Sequence, residues 1–394
     1  MPDRQLETRL QHVGEAQRGP HGAVVPPLFQ NSLFTFEDWD AIDAAFSDRT
    51  NAYIYSRVGN PTVRLAEEKI ADLAGGARAR LFASGMGAIS AAILHSVRAG
   101  DHVVAVRNVY GPTSTFLERY LGHKMDLRVT FVPGDEVAQF EEALTDRTRL
   151  IVLESPSSAV FGLQDIAAVS ELATARGIRT MIDNTWATPL FQRPLALGVD
   201  LEVHSCSKYL GGHSDLVGGV VIGSHSDLES ISVREIELFG GSMAPFDAWL
   251  LTRSLRTLPL RMRQHEASAL AVARFLEGHD RVRRVRHPGL GSHPQHVLAT
   301  RQMTGTTGLM GFTLATDDLA AIKRFVDGLA TFRIGVSWGG HESLVYAPVI
   351  SLLKETPPER FDALGIAPGD IRISVGLEHP DDLVADLDAA LARI

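Results

Sequence analysis

Leu201-Glu202-Val203-His204-Ser205-Cys206-Ser207-Lys208-Tyr209-Leu210-Gly211-Gly212-His213-Ser214 decides the reading of this chain. An apolar run, Leu201 to Val203, ends in hydroxyl residues, a lysine and a glycine pair. Upstream, a second apolar run ends in Ile182-Asp183-Asn184. Five further runs make strand candidates: Arg80 to Ala83, His102 to Val106, Arg128 to Val132, Leu150 to Glu154 and Gly219 to Ile222, beside Arg179 to Ile182 and Leu201 to Ser205. Helical segments lie between most of them. This alternation predicts an α/β fold with a mostly parallel, seven-stranded sheet covered on both faces. Ligands of such sheets bind beyond the carboxyl ends of the strands, where Asp183 and Lys208 both fall.

The flanks divide the chain. Residues 1–59 are irregular, with breaks at Gly19-Pro20 and Pro26-Pro27 and one helix expected around Glu37 to Ser47. They hold too few apolar residues for a core of their own, so they read as an arm contacting a neighbouring subunit. Asn60 and Pro61 suit an N-cap and first helical turn, and Gly75-Gly76 a stop. Residues 60–245 are expected to form the large domain. From Phe246 the texture changes. Helices are expected over Phe246 to Leu255 and Arg261 to Gly278. Strands follow at Leu309 to Leu314, Arg333 to Ser337, Leu344 to Ala347 and Ile371 to Val375, then a closing helix from Asp381 to Ile394. Residues 246–394 read as a smaller C-terminal α/β domain.

Composition excludes several classes. The 394 residues are 45% apolar and 22% charged, with a formal charge of −9, so no nucleic-acid or anionic-membrane partner is expected. The basic stretch Arg281 to Arg286 alternates with valine and reads as a partly exposed edge strand. A single cysteine, Cys206, rules out an intrachain disulfide. The N-terminus shows no apolar h-region and no run could span a bilayer, so a cytoplasmic protein is expected. His293-x-x-His296 and His213 lack companions at metal-ligand spacing. Gly85-x-Gly87 is followed by Ser90, which breaks the dinucleotide pattern.

A lysine and an aspartate at neighbouring strand ends are what pyridoxal 5'-phosphate (PLP) requires. Lys208 would form a Schiff base with its aldehyde, and Asp183 would keep its ring nitrogen protonated. The plainer reading of Asp183 is a turn cap. Phe82-Ala83-Ser84-Gly85-Met86-Gly87 combines a strand, a glycine turn and a helix start. That is a phosphate cradle to which Ser205 and Ser207 could add hydroxyls. Tyr110 is either a stacking ring or a half-buried loop tyrosine. Arg372, between Ile371 and Ile373, needs a partner: a substrate carboxylate, or an internal acid.

These motifs together resemble the Cys/Met-metabolism family of PLP enzymes. The likeness covers nearly the whole chain. It rests on Tyr55-Ser56-Arg57-Val58-Gly59-Asn60-Pro61-Thr62, Ser84-Gly85-Met86-Gly87-Ala88, Asp183-Asn184-Thr185, the Lys208 block and Arg372-x-Ser374-x-Gly376-Leu377-Glu378. The resemblance implies the aspartate-aminotransferase-like fold-type I. It also implies Lys208 and Asp183 on the cofactor, Tyr110 stacked on its ring, and Gly85, Met86, Ser205 and Ser207 on its phosphate. Tyr55 and Arg57 would reach the phosphate of the adjacent subunit, so a dimer is the minimal unit and a homotetramer the usual one. Arg372 would bind the carboxylate of a sulfur-containing amino acid, aided by the backbone near Ser337. Ser337-Trp338-Gly339-Gly340-x-Glu342-Ser343-Leu344 and Leu255-Arg256-Thr257-Leu258 look like bacterial cystathionine β-lyases. Trp338 and Ser158 replace the Leu and Asn usual in γ-acting members. His287-Pro288-Gly289-Leu290 instead looks like the γ-lyase and γ-synthase branches. The expected activity is β-elimination of L-cystathionine. Alternatives are a γ-acting relative, a broader cysteine-conjugate lyase, or an inactive PLP-fold regulator.

Overall fold

His102–Val106 is buried at every position, as a strand covered on both faces must be. In a computed structural model describing residues 4–16, 19–355 and 364–394, it is β2 of a seven-stranded sheet. The others are β1 (Arg78–Phe82), β3 (Arg128–Val132), β4 (Thr148–Glu154), β5 (Arg179–Asp183), β6 (Leu201–Ser205) and β7 (Gly219–Gly223). Their order is β1-β7-β6-β5-β4-β2-β3. β7 runs antiparallel to both β1 and β6, and every other pair is parallel. Parallel register brings Glu154, Asp183 and Val203 level at the carboxyl edge of β4, β5 and β6.

A second sheet of five strands follows: β8 (Val282–Arg286), β9 (Leu309–Leu314), β10 (Arg333–Ile334), β11 (Leu344–Tyr346) and β12 (Asp370–Ser374), in the order β10-β11-β12-β9-β8. Helices Leu258–Glu277 and Pro380–Leu391 cover it. They share a core with Phe312, Phe325 and Ile373. The basic stretch is indeed an edge strand. Residues 333–337 pair over a shorter span than expected: after Ile334 the chain leaves the sheet, and Ser337 reaches Lys208, which lies just beyond β6 of the first sheet.

The first 59 residues divide. Helix Leu6–His12 docks on helix Pro61–Ala74. Leu10 is fully buried there, and the buried Lys69 amine donates to Leu10 O at 2.9 Å and pairs with Glu15. The following stretch lies open: Val24 is 92% and Trp39 80% exposed. The expected helix spans Trp39–Ser47, capped by Asp38.

Edge strand β8 is held by one buried charge. Arg286 Nη1 pairs with Asp370 of β12 at 2.8 Å, and both side chains are almost fully buried. Removing one member of a buried pair strands the other charge. Arg286→Ala is expected to lower unfolding stability by about 3–5 kcal/mol. Arg283→Ala, whose partner Asp317 is half exposed, should change it by under about 0.5 kcal/mol. Urea unfolding of both variants checks this; equal losses would contradict it.

Candidate active site

The carboxyl edge of β4–β6 gathers the polar residues. Asp183 ends β5. Thr185 donates to Asp183 Oδ1 through its N–H at 3.0 Å and also through its hydroxyl. The same hydroxyl oxygen accepts from Ser205 N–H at 2.8 Å, tying the Asp183 turn to the end of β6. Among the described residues, no protein donor reaches the second oxygen of Asp183. Burial pushes its carboxyl above the usual range, and Thr185, His204 and Lys208 pull it back.

Lys208 follows β6 in a tight turn. Its Nζ donates to Ser337 Oγ at 2.6 Å and lies 5.4 Å from the Trp338 ring centroid. The Tyr209 ring braces Trp338 edge-on at 5.5 Å and is fully buried itself. Burial, then the Arg372 guanidinium, lowers the Lys208 amine from 10.5 to about 8, while Asp183 opposes the shift. Roughly a tenth of the amine is thus neutral and nucleophilic at pH 7, far more than for an ordinary lysine.

Arg372 lies in β12. Its Nη2 donates to Val336 O at 2.6 Å, and its guanidinium sits 4.9 Å from the Tyr346 ring centroid. Tyr346 is its direct cross-strand partner in β11. Among the described residues no carboxylate pairs with Arg372. The internal salt bridge that would have explained this arginine is therefore absent there, and its remaining N–H groups are available to an anion.

Ser84 caps helix Gly85–Ser96 by accepting from Gly87 N–H at 3.0 Å. The N–H groups of Gly85 and Met86 lead that helix, without intrahelical acceptors. A Cβ on Gly85 would stand 2.9 Å from Ser205 Cβ, so only glycine lets this turn close on β6. Ser207 Oγ accepts from Gly218 N–H at 3.1 Å. Tyr110 follows β2, half-exposed, and burial with the charges of Asp183 and Glu154 raises its phenol. Tyr55 and Arg57 are exposed and face each other, the guanidinium 5.2 Å from the ring centroid. Among the described residues no hydrogen bond joins either to the Lys208 cluster.

Glu154 and Tyr346 were not singled out as site residues. Their signal was positional: Glu154 ends an apolar run as Asp183 does, and Tyr346 pairs across β11–β12 with Arg372.

The chain belongs to the Cys/Met metabolism PLP-dependent enzymes, whose family model matches residues 7–392. It is an enzyme of fold-type I, and its cofactor is PLP. It is 39% identical over 385 residues to L-methionine gamma-lyase of Pseudomonas putida, covering 98% of this chain and 96% of that one. It is 37% identical over 388 residues to cystathionine beta-lyase of Lactococcus lactis subsp. cremoris, covering 98% and 99%. The crystal structure of cystathionine gamma synthase from Xanthomonas oryzae pv. oryzae, in complex with aminoacrylate and cysteine, superposes with a TM-score of 0.92 at 36% identity. The match covers 99% of this chain and 98% of that one. Among the described residues, no helix is long and apolar enough to cross a membrane, and no cluster suits a metal ion.

The lowered amine of Lys208 has a direct consequence. In the cofactor-free protein its acylation rate should rise with pH and level off above about 8. Mass-spectrometric peptide mapping after a timed pulse of an amine-acylating reagent reads it. A rate at Lys208 still climbing at pH 10 would contradict the burial account.

Proposed function

We propose that this protein is a PLP-dependent carbon–sulfur lyase that cleaves the Cβ–S bond of L-cystathionine. Trp338 beside the Lys208 amine carries the choice of β- over γ-elimination.

The residues fit the cofactor. Asp183 presents a carboxylate oxygen that no donor reaches among the described residues, suited to a protonated ring nitrogen. Gly85 and Met86 offer N–H groups, and Ser205 and Ser207 hydroxyls, suited to a phosphate. Tyr110 would stack on the ring, and Lys208 would hold the aldehyde carbon. When bound, the cofactor supplies an electron sink conjugated to the substrate Cα.

The chain's own residues do the rest. Arg372 grips the substrate carboxylate, with Ser337 beside it, and this fixes which Cα bond faces Lys208. Lys208 Nζ, neutral near its lowered pKa, takes the α-proton, and the Ser337 hydroxyl orients the amine. The Cβ–S bond breaks with its electron pair on sulfur, which leaves as homocysteine after protonation. The remaining three carbons leave as 2-aminoacrylate, which water converts to pyruvate and ammonia. γ-Elimination needs a second proton moved at Cβ, so the amine must swing between two carbons. Trp338, wedged against Tyr209, confines it to one.

The exposed Tyr55 and Arg57 suit a site completed by a second subunit. We infer a homodimer as the minimal active unit, assembled into a cytoplasmic homotetramer. A γ-lyase reading is favoured by the 39% identity to the L-methionine gamma-lyase of Pseudomonas putida, together with His287-Pro288-Gly289-Leu290.

Incubating the PLP-loaded protein with L-cystathionine and identifying both products decides between them. Pyruvate with homocysteine is expected. 2-Oxobutyrate with cysteine would overturn the β-elimination reading while leaving the cofactor site intact.

A further inference from the structure

Glu154 is a buried carboxylate that the chemistry above does not use. It ends β4 level with Asp183 on β5, so the two acids sit side by side at the sheet edge. Such a pair in one desolvated place does not carry two charges at neutral pH. Burial first, and then the charge of Asp183, push Glu154 up to about 8. The cofactor's ring nitrogen would favour the ionised form of Asp183, which leaves the proton on Glu154. In that form Glu154 still has a defined task. Its Oε2 accepts from Tyr110 N–H at 2.6 Å, and its Oε1 is hydrogen-bonded to the Ser158 hydroxyl at 2.5 Å; a proton on Oε1 reverses only the Ser158 bond, so Oε2 still accepts from Tyr110. Tyr110 enters the next helix at Gly111 with no side-chain cap, so this bond anchors the backbone that aims its ring.

The geometry points to Glu154 as a positioning residue: a neutral acceptor, braced by Ser158, that fixes the backbone of Tyr110 and so the angle of its ring against the cofactor. It deepens the functional reading above and rests on Tyr110 stacking there. Ser158 matters because its hydroxyl is short. It reaches Glu154, four residues back across the Ser155-Pro156-Ser157 turn, and steadies that carboxyl. The assignment is chemically specific: an amide replaces a neutral carboxyl here without loss. The glutamine oxygen accepts from Tyr110 N–H, and its NH₂ donates to Ser158 Oγ.

The test uses PLP-loaded full-length protein, reading visible circular dichroism of the bound cofactor alongside kcat. Glu154→Ala should weaken the cofactor's dichroic band and lower kcat about 10- to 100-fold. Glu154→Gln should keep both near wild type. In a Tyr110→Ala background, Glu154→Ala should weaken the band no further, whereas a merely structural role would add its own loss. If Glu154→Ala fails to fold, Glu154→Gln decides alone: a retained band supports the inference and a lost one overturns it. A wild-type band in Glu154→Ala also overturns it, with the functional reading untouched. A wild-type protein that takes up no cofactor overturns that reading itself.

Discussion

The site depends on holding a lysine and an aspartate in one desolvated crevice without letting them neutralise each other. Two opposite charges close together in low dielectric would pair and satisfy one another, leaving nothing for a ligand. Here each is occupied differently. Lys208 bonds to the Ser337 hydroxyl and feels Arg372, both of which keep it from pairing with Asp183. Asp183 is held on one oxygen by Thr185 and, among the described residues, left open on the other. Burial then shifts both in the direction of neutrality: the amine down, the acid up. The lowered amine readies Lys208 to meet an aldehyde, while a basic ring nitrogen brought beside Asp183 would draw the acid back to its ionised form.

Two sheets meet to enforce this. The first supplies Asp183 and Lys208 from adjacent parallel strand ends, where register sets their spacing. The second supplies Arg372 from β12 and, after β10, the departing chain with Val336, Ser337 and Trp338. Arg372 ties these together: it sits on Tyr346, bonds Val336 O, and projects its charge toward Lys208. A substrate carboxylate held by Arg372, as proposed, would complete a set of contacts already in place, so its binding would order few side chains.

Much of this was legible in the sequence because strand periodicity and strand-end chemistry are local. β2, β3, β6 and β9 fall where the apolar runs placed them, and the basic stretch of β8 lies at a sheet edge. What was not legible depended on pairing between distant segments. Glu154 gains meaning only from lying level with Asp183, and Tyr346 from its register with Arg372. The strand expected over residues 333–337 is cut short because Ser337 bonds Lys208, more than a hundred residues earlier. The docking of Leu6–His12 was hidden for the same reason. Its lone buried leucine gives little periodic signal, while its polar links to Lys69 and Arg256 are long-range.

The account stands or falls on which lysine carries the cofactor. Reducing the PLP-loaded protein with borohydride fixes the bond irreversibly, and peptide mass spectrometry then locates the phosphopyridoxyl group. It should lie on the peptide that runs through Ser207-Lys208-Tyr209, and be absent from the buried Lys69. Stoichiometric label on any other lysine would contradict the account.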